Sequence, residues 1–284
     1  MDIKKRASLV KIIFIVVLPM ILIILQPDAG SALVFMAVFF VLLREGLDLR
    51  ALFISLGLIF IFIFSLLFDP VSLSIALLVL FFLAYRIILY SFPKTKRTPF
   101  VLTLGLAVIF SFSVDFIFNS VFEQRHRDRF NVILGLETDT RGIGYNINQS
   151  KIAIGSGGLD GKGFLNGTQT KGGFVPEQHT DYIFTTIGEE WGFLGSCGLI
   201  LLFTCLILRI LYRAEKHTQP FPRIFSYCFA SMLFIHFFIN IGMTLGLVPT
   251  VGIPLPYISY GGTNLLAFSI MLFIYLNLDF NRLS

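Results

Sequence analysis

Chemistry in this chain concentrates in a few polar clusters set against apolar runs. The most prominent is Phe174-Val175-Pro176-Glu177-Gln178-His179-Thr180-Asp181-Tyr182-Ile183-Phe184. It packs acid, imidazole, hydroxyl and carboxylate groups immediately before an apolar stretch. Thr180 or Asp181 could simply cap the following helix, since short oxygen-bearing side chains accept bonds from first-turn amides. Asp181 also sits at an apolar boundary, where loss of hydration raises a carboxylate pKa and suits it to act as a general base. Glu189 and Glu190 follow two to three helical turns later. Adjacent carboxylates inside an apolar run are costly, so they are expected to be paired or to line a polar cavity.

A second cluster runs from Gly246 to Gly262 and contains Pro249, Pro254 and Pro256. These residues forbid a continuous helix. Broken backbone at membrane depth survives where it is buried in protein or lines a cavity. The segment is therefore expected to form a wall of the site, with Ser259 and free amides as donors. A third stretch, Gly155-Ser156-Gly157-Gly158-Leu159-Asp160-Gly161-Lys162-Gly163, resembles a phosphate loop at first sight. Gly163 follows Lys162 where a Walker motif needs Ser or Thr. A tightly turning loop is one reading. The other is a glycine backbone that brings amides close to a phosphate or sugar. His236 and Asn240 lie inside a further apolar run, where interhelical hydrogen bonding accounts for them.

The elements that must position these groups are membrane helices. The 284 residues are 56% hydrophobic and only 14% charged, with 33 Phe. A soluble domain carries about 25% charged residues. Composition thus excludes a cytosolic enzyme, a disordered chain and a disulfide scaffold. Cys197, Cys205 and Cys228 show no metal-binding spacing and read as small apolar residues. Apolar runs near 12–26, 30–43, 52–68, 71–92, 99–118, 182–212, 222–245 and 261–278 predict about eight transmembrane helices in an all-α polytopic bundle. Lys4, Lys5, Arg6 and Lys11 precede the first run. No small-residue cleavage pattern follows it, so it is expected to be retained.

Seven of the 22 Lys and Arg lie in one long segment, 119–181. The other fifteen, among them Arg44, Arg86, Lys94, Lys96, Arg97, Arg213 and Arg282, fall at alternate helix ends. By the positive-inside rule both termini are cytoplasmic and segment 119–181 is extracytoplasmic. That segment holds eleven of the 24 glycines, yet it also carries Phe130, Val132, Ile133, Leu134, Ile152, Ile154, Phe164 and Leu165. It is expected to form short helices or re-entrant pieces on the outer face.

Taken in order, these stretches resemble the SEDS family (shape, elongation, division and sporulation), most closely its RodA branch. The matching residues are Gln26-Pro27-Asp28 with Gly30-Ser31-Ala32, Gly144-Tyr145, Gln149-Ser150, and Ile152 through Gly158. They continue with Gly161-Lys162-Gly163, Gly167-Thr168-Gln169, Pro176 through Asp181, and Gly188-Glu189-Glu190-Trp191-Gly192-Phe193. Gly252-Ile253-Pro254-Leu255-Pro256 and Ser259-Tyr260-Gly261-Gly262 complete the set. The resemblance covers 1–284 as a single membrane domain. It implies a peptidoglycan glycosyltransferase of the cytoplasmic membrane that polymerises lipid II for cell elongation. A class B penicillin-binding protein and other membrane proteins of the elongation machinery are the implied partners, with membrane lipid around them and no nucleic acid. Asp181 is the implied catalytic residue. Glu177, His179, Thr180, Glu189, Glu190, Ser259, Tyr260, Gly261 and Gly262 are implied to line the same cavity.

The leaving pyrophosphate would need cations, for which Arg127, Arg129 and Lys162 are candidates. Solvated surface charge is an equal reading of each. No cofactor is expected, and a divalent cation is left open because no ligand cluster marks one. The Gly-Ala-x-x-Trp and Gln-Pro-x-Glu motifs of the family are absent, so the resemblance implies an N-terminally incomplete member. The hairpin 52–92 reads as an additional helix pair. Two other classes fit the membrane carboxylates and broken helices. One is a flippase or transporter of lipid-linked sugars; the other is a non-catalytic scaffold of the elongation machinery.

Overall fold

The computed structural model describes residues 6–26, 28–91, 98–122, 124–136 and 143–281. Lys4, Lys5, Pro27, Lys94, Lys96, Arg97 and Arg282 lie outside them, as does Arg141 of segment 119–181. Among the described residues the secondary structure is entirely helical. Six helices among the described residues are long and apolar enough to cross a membrane. Two shorter apolar stretches, Val10–Ile24 and Gly30–Arg44, stand where the first two runs were counted. The all-α polytopic expectation is met, with six of the eight expected transmembrane runs long and apolar enough to span among the described residues and the first two shorter.

The chain forms two compact units, residues 48–134 and residues 1–47 with 135–284. The first contains α4 (Leu49–Leu67), α5 (Pro70–Ser91), α6 (Thr98–Phe116), a π-helical turn (Ile117–Val121) and α7 (Gln124–Ile133). Asp48 caps α4 through Arg50 N, and Asp69 caps α5 through Val71 N. Pro70 opens α5, where its missing N–H and fixed φ cost nothing. Most large apolar side chains of these helices are exposed, as expected where the surrounding solvent is hydrocarbon. A buried bond from Ser65 Oγ to Ser111 Oγ (3.0 Å) joins α4 and α6. Phe62 and Phe118 meet the Phe130 ring edge-on.

The second unit opens with α1 (Arg6–Ile24), α2 (Ala29–Val34) and α3 (Ala37–Arg44). It continues with α8 (Ile143–Ser156), α9 (Thr168–Lys171), α10 (Ile183–Ala214), α11 (Pro220–Thr244) and α12 (Gly262–Phe280). The run read as one helix over 30–43 is thus two. Phe35 and Met36 make tight bonds to Ala32 O and Leu33 O, so the chain steps between α2 and α3. The core lies where α10, α11 and α12 meet, around Ile210, Phe229, Leu233, Phe268 and Tyr275. At one end of this bundle Arg213 pairs with Asp279 at 2.8 Å and Arg223 with Glu45 at 2.7 Å, while Arg44 pairs with Glu215. The basic residues at these helix ends are therefore interhelical ties. The opposite end carries the segments that hold the candidate site. Helices α7, α8 and α9 lie within segment 119–181, as expected of a loop built from short helices.

Candidate active site

Asp181 lies two residues before α10 in a turn that folds back on itself. Thr180 N and Tyr182 N both donate to Glu177 O, and Thr180 Oγ1 donates to Glu177 Oε2 at 2.8 Å. Glu177 takes a positive φ of 54° to close this turn. The turn is then tied to the proline-rich segment through three successive carbonyls. Tyr260 N donates to His179 O at 2.8 Å. Ser259 Oγ donates to Thr180 O at 2.7 Å, and Asn240 Nδ2 donates to Asp181 O at 2.9 Å. Two of these ties have a second contact. Ser259 Oγ accepts from Leu255 N at 2.7 Å, and Asn240 Nδ2 also donates to Ile253 O at 2.8 Å. Tyr182 Oη bonds Thr250 Oγ1 at 3.0 Å, and His236 Nδ1 donates to Pro254 O at 3.0 Å.

These bonds supply what irregular backbone at a membrane edge needs, a partner for each carbonyl. They also fix the main chain of Asp181 on both sides while its side chain stays half-buried. The carboxylate lies close to Gly252, where an added β-carbon would come within 3.3 Å of Oδ2. A preorganised carboxylate of this kind can take a proton from a hydroxyl without first ordering its own loop.

The second feature is a break in α10. Gly192 has φ 63° and ψ −159°, a conformation essentially reserved for glycine. The break removes two helical bonds, those from Phe193 N to Glu189 O and from Leu194 N to Glu190 O. The glycine loop supplies all four missing partners. Lys162 N donates to Glu189 O, Gly163 N donates to Glu190 O, Phe193 N donates to Gly158 O, and Leu194 N donates to Leu159 O, at 2.9 to 3.1 Å. The approach is close enough that a β-carbon at Gly161 would lie 2.2 Å from Glu190 O. The glycines thus serve contact with a helix, and the Lys162 and Gly163 amides are occupied by it.

Glu189 sits under this loop and is 0% exposed. Its Oε1 accepts Lys162 Nζ at 2.7 Å and Gln169 N at 2.8 Å; Oε2 accepts Thr170 N at 2.9 Å and Thr170 Oγ1 at 2.8 Å. Lys162 Nζ also donates to Thr168 Oγ1 at 2.6 Å. Oriented donors and a counter-ion are what a buried carboxylate requires. Glu189 is therefore paired, as expected. Lys162 has a partner that neither a phosphate role nor surface solvation had named.

The structure thus brings together Glu177, His179, Thr180, Asp181, Ser259 and Tyr260, with Gly261 and Gly262 leading into α12. Tyr260 contributes its amide, while its side chain is 80% exposed. Glu190 is buried one residue from Glu189. Arg127 and Arg129 belong to the other unit, on α7, where Arg127 Nη1 donates to Asn119 O at 3.2 Å. No group of three or more potential metal ligands gathers among the described residues. Two participants were named in the sequence but not as site residues. Asn240 bonds loop carbonyls instead of a neighbouring helix side chain, and only its polarity within an apolar run marked it. Ser150 Oγ bonds Thr185 Oγ1 at 2.6 Å and Thr244 O at 2.9 Å, tying α8 to α10 and α11.

Comparison with known proteins yields a consistent set of relatives. The sequence-family model FtsW/RodA/SpoVE, described as "Cell cycle protein", matches residues 45–283. Peptidoglycan glycosyltransferase MrdB of Escherichia coli K12 is 48% identical over 140 residues, covering 49% of this chain and 38% of that protein. Peptidoglycan glycosyltransferase RodA of Treponema pallidum is 34% identical over 276 residues, covering 88% of this chain and 63% of that protein. Among solved structures, one titled "Structural coordination of polymerization and crosslinking by a peptidoglycan synthase complex" matches with a TM-score of 0.62 and 26% identity. The match covers 99% of this chain and 64% of that one. The chain therefore spans between about two fifths and two thirds of the length of these relatives.

Proposed function

The chain belongs to the FtsW/RodA/SpoVE family, and on that premise we propose that it is a peptidoglycan glycosyltransferase that polymerises lipid II during cell elongation. The 4-hydroxyl of one GlcNAc attacks the anomeric carbon of MurNAc on a second lipid-linked unit. Undecaprenyl pyrophosphate leaves, and inversion forms a β-1,4 bond. Asp181 takes the hydroxyl proton, an effect worth about 10²–10⁴-fold in rate. The observation that carries this reading is the fixing of His179, Thr180 and Asp181 carbonyls by Tyr260, Ser259 and Asn240, which holds a half-buried carboxylate in place. Proximity and orientation of this kind lower a barrier only when the group is already positioned.

The basic helix ends support a cytoplasmic-membrane protein with both termini inside, and in that orientation Asp181 faces outward, beside lipid-linked sugars. A class B penicillin-binding protein is the proposed partner that crosslinks the product. The test is to copurify this chain with such a partner and supply labelled lipid II in detergent. Glycan strands are the expected product. A carrier has no membrane to cross in detergent and a scaffold has no chemistry, so partner binding without polymer would refute the proposal.

A further inference from the structure

Outside the Asp181 site, one surface is anomalous: a loop that exposes large apolar side chains. Leu159, Phe164 and Leu165 are 62% to 68% exposed, and Trp191, Phe193 and Leu194 on α10 are 54% to 63% exposed beside them. The Phe164 and Trp191 rings lie 6.4 Å apart, which joins the two sets into one patch. Leu165 adopts a positive φ of 60°, an unfavourable geometry for a leucine. An apolar patch of this size is not left in water without a purpose.

The position of the patch identifies its occupant. Its backbone is bonded to α10 at the Gly192 break, so the loop lies at the depth of residues 189–194. From Phe193, just past the break, to Arg209, α10 rises about 24 Å at 1.5 Å per residue. With the break residues beyond it, that approaches the ~30 Å hydrocarbon thickness of a bilayer. With Arg209 at one boundary, Trp191 falls at the other, the headgroup level where tryptophan concentrates. The patch is also continuous with the exposed apolar face of α10 below it, which includes Leu201 and Leu202. Open backbone at that depth must be bonded internally, and the four loop bonds across the break achieve this.

We infer that the hairpin 158–165 is a membrane-inserted wedge whose Leu159, Phe164 and Leu165 side chains sit among the lipid chains of the leaflet facing the Asp181 site. The wedge fixes the height of the Glu189–Lys162 pair against the bilayer surface. The inference rests on the chain spanning a membrane and not on the transferase reading, so the two can fail separately.

The chain has a single tryptophan, which makes the test direct. Trp191→Phe provides a tryptophan-free blank, and Phe164→Trp in that background places the only fluorophore on the loop. The protein is reconstituted in phosphatidylcholine vesicles containing lipids brominated near the headgroup or near the chain end. The expected result is blue-shifted emission, with greater loss of emission to the shallow bromines than to the deep ones and little loss to aqueous iodide. Leu165→Trp in the same background should behave alike and covers the case in which the first variant misfolds. Emission at the aqueous wavelength with strong iodide quenching would overturn the inference. So would blue-shifted emission insensitive to both bromine positions, which would mean that protein covers the patch.

Discussion

The two units of this molecule are both largely apolar and differ in how their helices are held. In residues 48–134 the helices pack by apolar faces and phenylalanine rings, with the Ser65–Ser111 bond between α4 and α6. In the other unit, buried polar side chains bond to the main chain of neighbouring segments: Glu189 to the amides of Gln169 and Thr170, Asn240 to two carbonyls, Ser259 to a carbonyl and an amide. Lipid-facing packing can hold helices side by side. It cannot hold an irregular loop in one conformation, because each unpaired backbone group in a dry setting costs free energy. Buried polar side chains are therefore found where the backbone leaves helical geometry, and that is also where Asp181 sits.

The comparison would break if polar substitutions in the two units had equal effects. The largest loss is expected for Glu189→Ala, which removes the carboxylate shared by Lys162, Gln169 and Thr170. Removing one partner of a buried pair costs about 3–5 kcal/mol, readable by equilibrium unfolding in detergent. Gly192→Ala comes next. Its added β-carbon would meet Gly161 N at 2.3 Å, and the backbone strain alone is about 1–3 kcal/mol; the same unfolding assay reads it. Asn240→Ala leaves the carbonyls of Asp181 and Ile253 without their donor, at about 1–3 kcal/mol. It should slow polymer synthesis more than it lowers stability, because it frees the loop on which Asp181 sits. The smallest effect is expected for Ser65→Ala, at about 0.5–1.5 kcal/mol, with polymer synthesis unchanged. A Ser65→Ala variant that impaired synthesis as much as Asn240→Ala would dissolve the distinction between the units.

Much of this organisation is legible in the residues. Apolar runs mark the helices, because a bilayer demands about 20 apolar residues per span. Three prolines between Gly246 and Gly262 signal broken backbone, and their segment does form a wall against the Asp181 turn. The pairing of Glu189 follows from the cost of a buried charge. Its partner does not, since Lys162 lies 27 residues away on a loop whose glycines suggest phosphate binding. The break at Gly192 is hidden for a related reason. A lone glycine inside a helical pattern gives no sign of whether it is strained, and only the loop bonds to Glu189 O and Glu190 O reveal it. Asn240 reads as an interhelical contact because sequence shows which residues are polar but not which carbonyls lack donors. The split at Phe35 and Met36 leaves no mark in an evenly apolar run.

The central claim is that the fixed carboxylate of Asp181 performs chemistry, and Asp181→Asn tests it with little change in volume. The Asp181 carbonyl that Asn240 binds belongs to the main chain and survives the substitution. The measurement is the initial rate of glycan-strand formation from labelled lipid II by the chain with the proposed crosslinking partner, with unfolding in detergent as the control. The predicted result is a rate lower by about 10²–10⁴-fold at unaltered stability. Strands formed by the variant at the unsubstituted rate would contradict the assignment.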